Sequence, residues 1–426
     1  MSGASDALRR YGRVIRAPHV PTLLLVGFAG RLPHSVTAVL VTVHVTQTLG
    51  LDYARAGLAA ALLTIGVAIG SPWRGRRIDT AGLRRAVIPS IVVEGLAWGL
   101  APYVGYPVLL LLLFLAGLYA LPVFTVVRQS LGVLMHGPDR RTAFSLDSMA
   151  TEIVFVIGPG GSAVLATKFS SGAALTVIGV LVVLAGVLLI LRNPPTHSER
   201  LPVDGPDLIG ELEAPARPED APSVVPVVTG AIPIVGPRPK RRWAWLTPGV
   251  AAMFVMAAGA GFALAGTEVG VVAFAEHSGD SGGGLWWAYG VWSAASLVGG
   301  FVYGLLSRRL DPLVLITLLG VAMLPVLLAP SMFWLGLVLA LSGFFIAPLM
   351  TAASERITDL VDERHRGEAM GWYGSAMTGG TAIGTPLVGV VIDKAGAPQA
   401  FLALALVAIL TGLATLGLRT VRRRLA

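Results

Sequence analysis

Arg31, His34, Glu94, Asp147, Glu152 and Glu268 are ionisable residues that stand inside long apolar runs. An ionisable group in hydrocarbon is costly, so each needs a partner or a task such as binding a proton or a ligand. Arg31 and Glu152 lie at similar depth in their runs, each roughly 16 Å from one end at ~1.5 Å per residue. A carboxylate near a cation in low dielectric is pushed up by desolvation and down by the charge. His34 is three residues from Arg31, on the same helical face. It is a polar lining residue whose imidazole titrates near neutrality. Asp147 is expected one turn into its run, as a structural contact at the helix end, and Glu94 as a packing hydrogen bond.

Other chemistries are excluded. The chain has no cysteine, hence no disulfide, thiolate metal site or thiol nucleophile. His19, His34, His44, His136, His197, His277 and His365 are scattered without metal-ligand spacing. No Gly-rich Lys-Ser/Thr phosphate loop and no nucleophile–base arrangement can be read. The reading is therefore not an enzyme, with no cofactor and no metal; a proton gradient is the expected energy source.

These residues must be held by membrane helices. The chain is 54 % hydrophobic and only 13 % charged over 426 residues, about half the charge of a soluble domain. Twelve runs are long enough to cross a bilayer: Pro21–Gln47, Ala54–Trp73, Ala86–Tyr103, Tyr106–Val127, Ala143–Ala166, Gly172–Leu191, Pro248–Ala275, Leu285–Leu306, Leu313–Leu328, Met332–Ala353, Glu368–Ile392 and Pro398–Leu418. Net charge is +8, in short clusters between runs, which points to membrane topology and not to nucleic acid. With the amino terminus inside, only Arg55, Lys168 and Lys394 are outside and Arg31 alone is within a span; the other lysines and arginines fall on the cytoplasmic side. No cleavable signal peptide is visible.

The expected architecture is an all-α membrane protein with both termini cytoplasmic. A segment 1–20 precedes an amino-terminal six-helix bundle, 21–191. A proline-rich cytoplasmic linker, 192–247, separates it from a second six-helix bundle, 248–418, and a basic tail, 419–426. The two halves repeat. Gly117, Pro122, Arg140 and Gly158 align with Gly343, Pro348, Arg366 and Gly384, always at one offset. Tyr119 and Phe345 are thereby equivalent. A path for a small molecule is expected between the bundles near the midplane.

The stretch between the second and third runs is Gly75-Arg-Arg-Ile-Asp79-Thr-Ala-Gly82-Leu-Arg84-Arg85. Its glycines permit tight turns and close approach, and an aspartate suits a helix amino terminus. Gly75, Asp79, Gly82, Arg84 and Arg85 resemble in spacing the loop after the second helix of the major facilitator superfamily; Thr80 stands where a basic residue is usual. Span five carries Gly158-Pro159-Gly160-Gly161, a helix-kink motif similar to the Gly-Pro motif of that superfamily's proton-coupled antiporters, but without the two intervening residues. The uncharged span four lacks the arginine motif found there in many drug/proton antiporters.

The resemblance implies that Asp79 meets Arg128 and the start of span eleven near Gly367, locking the cytoplasmic side. It implies that Arg31 and Glu152 face each other across neighbouring helices one and five, that Tyr119, Glu268 and Phe345 line the cavity, and that the substrate is a small molecule. The implied function is alternating-access, proton-coupled efflux of a drug or metabolite by a monomer in the bacterial cytoplasmic membrane, similar to actinobacterial exporters. Two alternatives stay open: a proton-coupled importer of a sugar or organic anion, and a membrane receptor or scaffold that kept the fold and lost transport.

Overall fold

The computed structural model describes residues 2–168, 170–197, 243–279, 283–306 and 308–425. Most of the expected linker, 198–242, lies outside them. The described residues form fifteen α-helices. The first half contains α1 (Ser2–Arg16), α2 (Val20–Val43), α3 (Tyr53–Ala81), α4 (Leu83–Leu100), α5 (Tyr106–Leu118), α6 (Val123–Leu134), α7 (Gly137–Lys168) and α8 (Ser171–Arg192). The second half contains α9 (Pro248–His277), α10 (Gly283–Leu305), α11 (Pro312–Met323), α12 (Met332–Gly343), α13 (Ile346–Leu360), α14 (Arg366–Ala395) and α15 (Ala397–Leu425).

The helix ends follow local chemistry. Asp52, Ser170, Thr247 and Asp311 accept hydrogen bonds from amides in the first turns of α3, α8, α9 and α11. Gly82, at φ 84°, is the single residue between α3 and α4, a conformation that glycine adopts without Cβ strain. Ten helical segments are long and apolar enough to cross a membrane, and Pro312–Leu328 is a shorter apolar one. Helix α7 carries Asp139, Arg140, Arg141, Asp147 and Glu152 in its first half. Charges that read as an inter-span loop are thus already helical.

Each half encloses its own apolar core. One runs from Val14 to Leu189, the other from Trp245 to Ala408. Both contain a broken span at equivalent places. Helix α5 stops at Leu118 and α6 resumes at Val123; α12 stops at Gly343 and α13 resumes at Ile346. Pro122 lacks the amide that would continue the first helix.

One expectation needs correction, and two segments gain structure. The stretch Gly75–Arg85 is not a loop: it is the last turns of α3, Gly82, and the start of α4. Helical spacing places Gly75, Asp79 and Gly82 on one face, which accounts for the motif. The segment 1–20 holds the amphipathic helix α1, whose Ala7, Tyr11 and Val14 are buried. Helix α15 runs to Leu425, past the Leu418 boundary.

Candidate functional site

The two cores meet along a polar seam concentrated at the end where Gly82 turns the chain, called here the loop end. Helix α3 lies against α14 with almost no side chain between them. A Cβ on Gly75 would strike the carbonyl of Gly367, and one on Gly371 the backbone of Ser71. One turn deeper, Ser375 Oγ donates to the Ala68 carbonyl at 2.5 Å. Asp79 completes this contact. Its Oδ1 accepts from the Gly367 amide at 2.9 Å and its Oδ2 from the Glu368 amide at 2.8 Å. These amides belong to the first turn of α14, where backbone donors lack helical partners and partial positive charge gathers. The residue before α14, His365, makes no side-chain cap. Asp79 therefore caps α14 from the opposite bundle.

The third ligand of Asp79 is Gln129, whose Nε2 donates to Oδ1 at 2.9 Å. The expected contact with Arg128 is not formed. One residue is a 100° rotation on a helix, so Gln129 faces α3 while Arg128 points toward α7. Of the rest of the motif, Arg84 donates to the Ile190 carbonyl at 3.2 Å, near the end of α8, and Arg85 is exposed.

Arg31 does not meet Glu152. Its Nη1 lies 2.6 Å from Asp147 Oδ1, and Arg128 Nε donates to Asp147 Oδ2 at 3.1 Å. Both guanidiniums also lie over the Phe124 ring, at 4.3 and 5.6 Å from its centroid. Side-chain exposure is 3 % for Arg31 and 0 % for Asp147, so neither can be touched by a passing solute. Glu152 is five residues beyond Asp147, about 140° around α7. It faces Ser296 of α10 and is half-buried at the bundle seam. Asp147, expected near a helix end, is ten residues inside α7, because that helix starts at Gly137 and not at Ala143.

A second polar cluster sits at the α5/α6 break. Arg74 Nη1 donates to the carbonyls of Gly117 and Leu118, at 2.8 and 2.6 Å. These are orphan carbonyls at the end of α5. On the other side of the break, the Leu121 amide donates to Glu94 Oε2 at 2.9 Å. Glu94 Oε1 lies 3.1 Å from His34 Nε2, and His34 Nδ1 lies 3.1 Å from the Gly30 carbonyl. Arg74 reads from sequence as a loop cation beside Arg76 and Arg77. It is buried (3 % exposed) inside the first bundle. Its helical phase is the available signal: it is offset from the exposed Arg76.

Several further bonds tie the bundles at the loop end. Arg140 and Arg309 both pair with Asp359. Arg141 pairs with Glu355 at 3.2 Å, and the Tyr303 hydroxyl donates to the same carboxylate. Ser145 and Thr142 donate to the carbonyls of Gly300 and Gly304. Helix α1 straps across: Tyr11 donates to the Phe301 carbonyl at 2.8 Å, and Arg13 pairs with Asp139 at 2.9 Å.

Of the remaining expected residues, Glu268 is exposed, with its carbonyl accepting from Tyr289. Tyr119 packs edge-on against Trp73, and Phe345 edge-on against Phe344. Gly158 abuts Ser35 of α2, and α7 remains helical through Pro159, Gly160 and Gly161.

Two helical halves with matching breaks, joined by an aspartate on a helix end, have a counterpart among known proteins. Residues 23–330 and 287–426 match the Major Facilitator Superfamily. The chain belongs to that superfamily.

Solved structures of superfamily-like transporters superpose on nearly the whole chain. The human organic anion transporter MFSD10 (TETRAN) gives a TM-score of 0.65 at 17 % identity, covering 96 % of this chain and 99 % of that one. A bacterial homologue of the iron transporter ferroportin, in an outward-facing state, gives 0.66 at 17 % identity over 93 % and 99 %. FucP, in the outward conformation, gives 0.63 at 17 % identity over 93 % and 97 %. Comparison with curated protein sequences gives no match. Membership of the Major Facilitator Superfamily makes this chain a multi-pass membrane transporter and not an enzyme.

Proposed function

We propose that the protein is a twelve-span, alternating-access exporter of small organic molecules carrying a basic group, driven by proton exchange across the cytoplasmic membrane. Its loop end faces the cytoplasm, as the clustered arginines require. The observation that carries the reading is Glu152. It is half-buried at the seam between α7 and α10, with a hydroxyl, Ser296, as its neighbour. The cations of the first bundle are committed elsewhere: Arg31 and Arg128 to Asp147, Arg74 to backbone carbonyls. The charges left for a solute to meet within the spans include two carboxylates, Glu152 and the exposed Glu268.

A carboxylate can hold a proton or neutralise a cationic solute, but not both at once. Competition of that kind is exchange, and an inward proton gradient then drives the solute out. Buried Arg31 serves the first bundle's architecture and not an anionic cargo.

The test uses proteoliposomes with an imposed pH gradient and a panel of lipophilic cationic dyes, sugars and organic anions. Gradient-driven movement of a cation opposite to protons, lost in Glu152→Gln, supports the reading. Movement of an anion or sugar together with protons would replace it with import. Ligand binding without flux of any class would leave a receptor.

A further inference from the structure

The His34–Glu94 pair is not used by that reading, and its hydrogen-bond arithmetic is restrictive. His34 Nδ1 faces the Gly30 carbonyl at 3.1 Å, and a carbonyl oxygen only accepts. Nδ1 must therefore carry a hydrogen. Nε2 lies 3.1 Å from Glu94 Oε1. A neutral imidazole with its hydrogen on Nδ1 would turn a lone pair toward the carboxylate. One additional proton is required between them, on Nε2 or on Oε1. The pair holds it as a unit.

We infer that His34 and Glu94 form a second, single-proton site, separate from Glu152, and that its proton controls the break in the α5/α6 span. The His34 side chain is 34 % exposed and the Glu94 side chain 2 %, so the imidazole is the port and the carboxylate the store. When the proton leaves through His34 to water, Glu94 becomes a buried anion whose Oε1 has lost its donor.

The charged groups around the pair set the response to that loss. Arg74, from α3, acts electrostatically on both members. Arg31, one turn before His34, is held by Asp147 of α7, which it shares with Arg128. The α5/α6 break contributes backbone only: its amide at Leu121 to Glu94, its carbonyls at Gly117 and Leu118 to Arg74. Helix α8 presents apolar residues such as Val183 and Leu189 toward α4 and the core. Among the described residues, Arg74 is the arginine seen to act electrostatically on Glu94. Turning to it, Arg74 releases the α5 carbonyls, and the break loosens. Proton loss becomes a change in the hinge of a span that runs to the bundle seam.

Hydrogen–deuterium exchange on the full-length protein in nanodiscs tests this, because it needs neither flux nor a known substrate. Protection of the peptide spanning Gly117–Phe124, corrected for intrinsic rates, should fall about tenfold as pH rises from about 5 to about 9, the scale of one charge-assisted hydrogen bond. Glu94→Gln and His34→Gln should each remove that pH step, whereas Glu152→Gln should keep it. His34→Gln retains an amide donor toward Glu94, and so decides the matter if Glu94→Gln does not fold. A flat wild-type profile, or a step that survives in either folded pair variant, overturns the inference. A step lost in Glu152→Gln as well would show that Glu152, and not this pair, governs the hinge. Failure of dye export with the step intact would reject the proposed function alone.

Discussion

Arg128 donates through Nη1 to Ser354 Oγ at 2.6 Å, and these two residues occupy the same position in the two halves of the chain. Equivalent residues can touch only where the axis relating the halves passes between them. One turn further, Gly132 lies against Thr358, again an equivalent pair. Two such contacts in register along α6 and α13 mean that these helices run parallel, with the pseudo-twofold axis between them. The repeats are therefore of the parallel kind, related by an axis along the membrane normal. The seam between the two bundles therefore contains that axis.

Asp79 is the latch that holds the seam on one side. Removing its carboxylate leaves two α14 amides uncapped, a loss of about 1 kcal/mol or roughly fivefold in population. Asp79→Ala should open the loop end by that factor. The chain lacks cysteine, so a single cysteine at Ser71 reports directly through its rate of alkylation. An unchanged rate would show that the other seam contacts keep it shut without this cap.

The glycine contact itself tolerates no side chain. Gly75→Ala places a methyl group against the Gly367 carbonyl and should favour the state open at the loop end. Gly379→Ala, which meets nothing within 4 Å, is the matched control. Spin-label distances between α3 and α14 should lengthen in the first variant and stay put in the second.

Asp147 balances two guanidiniums, so its loss is worse than the loss of either. Asp147→Ala strands Arg31 and Arg128 together and should cost about 3–5 kcal/mol or more. Arg31→Met leaves the Arg128 pair intact and should cost clearly less. Thermal unfolding of the two purified variants ranks them; the reverse order would place the structural burden on Arg31.

Helix α1 has a pH limit set by Tyr11. Burial pushes its phenol up from 10.0 to about 12. The docked phenol stays neutral and donates to the Phe301 carbonyl, whereas an undocked one ionises near its ordinary value. Docking is thus fully favoured below about pH 10 and is lost as pH rises toward about 12. Proteolysis at α1 should accelerate over that window, and Tyr11→Phe should abolish the pH dependence while raising cleavage at neutral pH.

Much of this architecture was legible as apolar runs, because lipid demands long, continuous ones. Pro122 and Pro348 at one offset marked the equivalent breaks. Charge pairing was not legible, because it depends on helix phase. Five residues separate Asp147 from Glu152, and that rotation sends one to Arg31 and the other across the seam. One residue separates Arg128 from Gln129, and only the latter reaches Asp79. Arg74 was hidden among loop arginines, since composition does not say which way a helical side chain points. Helix α1 escaped because an amphipathic helix has no continuous apolar run.

The distribution of buried charge has an electrical consequence. Arg31, Arg74, Glu94, Arg128 and Asp147 are all buried in the first bundle, and the buried carboxylates of the second, Glu355 and Glu368, lie across the seam from it. A membrane potential does work only on charge that moves through the field, about 2.3 kcal/mol per elementary charge per 100 mV. A change of potential therefore acts on these buried charges only to the extent that they are displaced along the membrane normal.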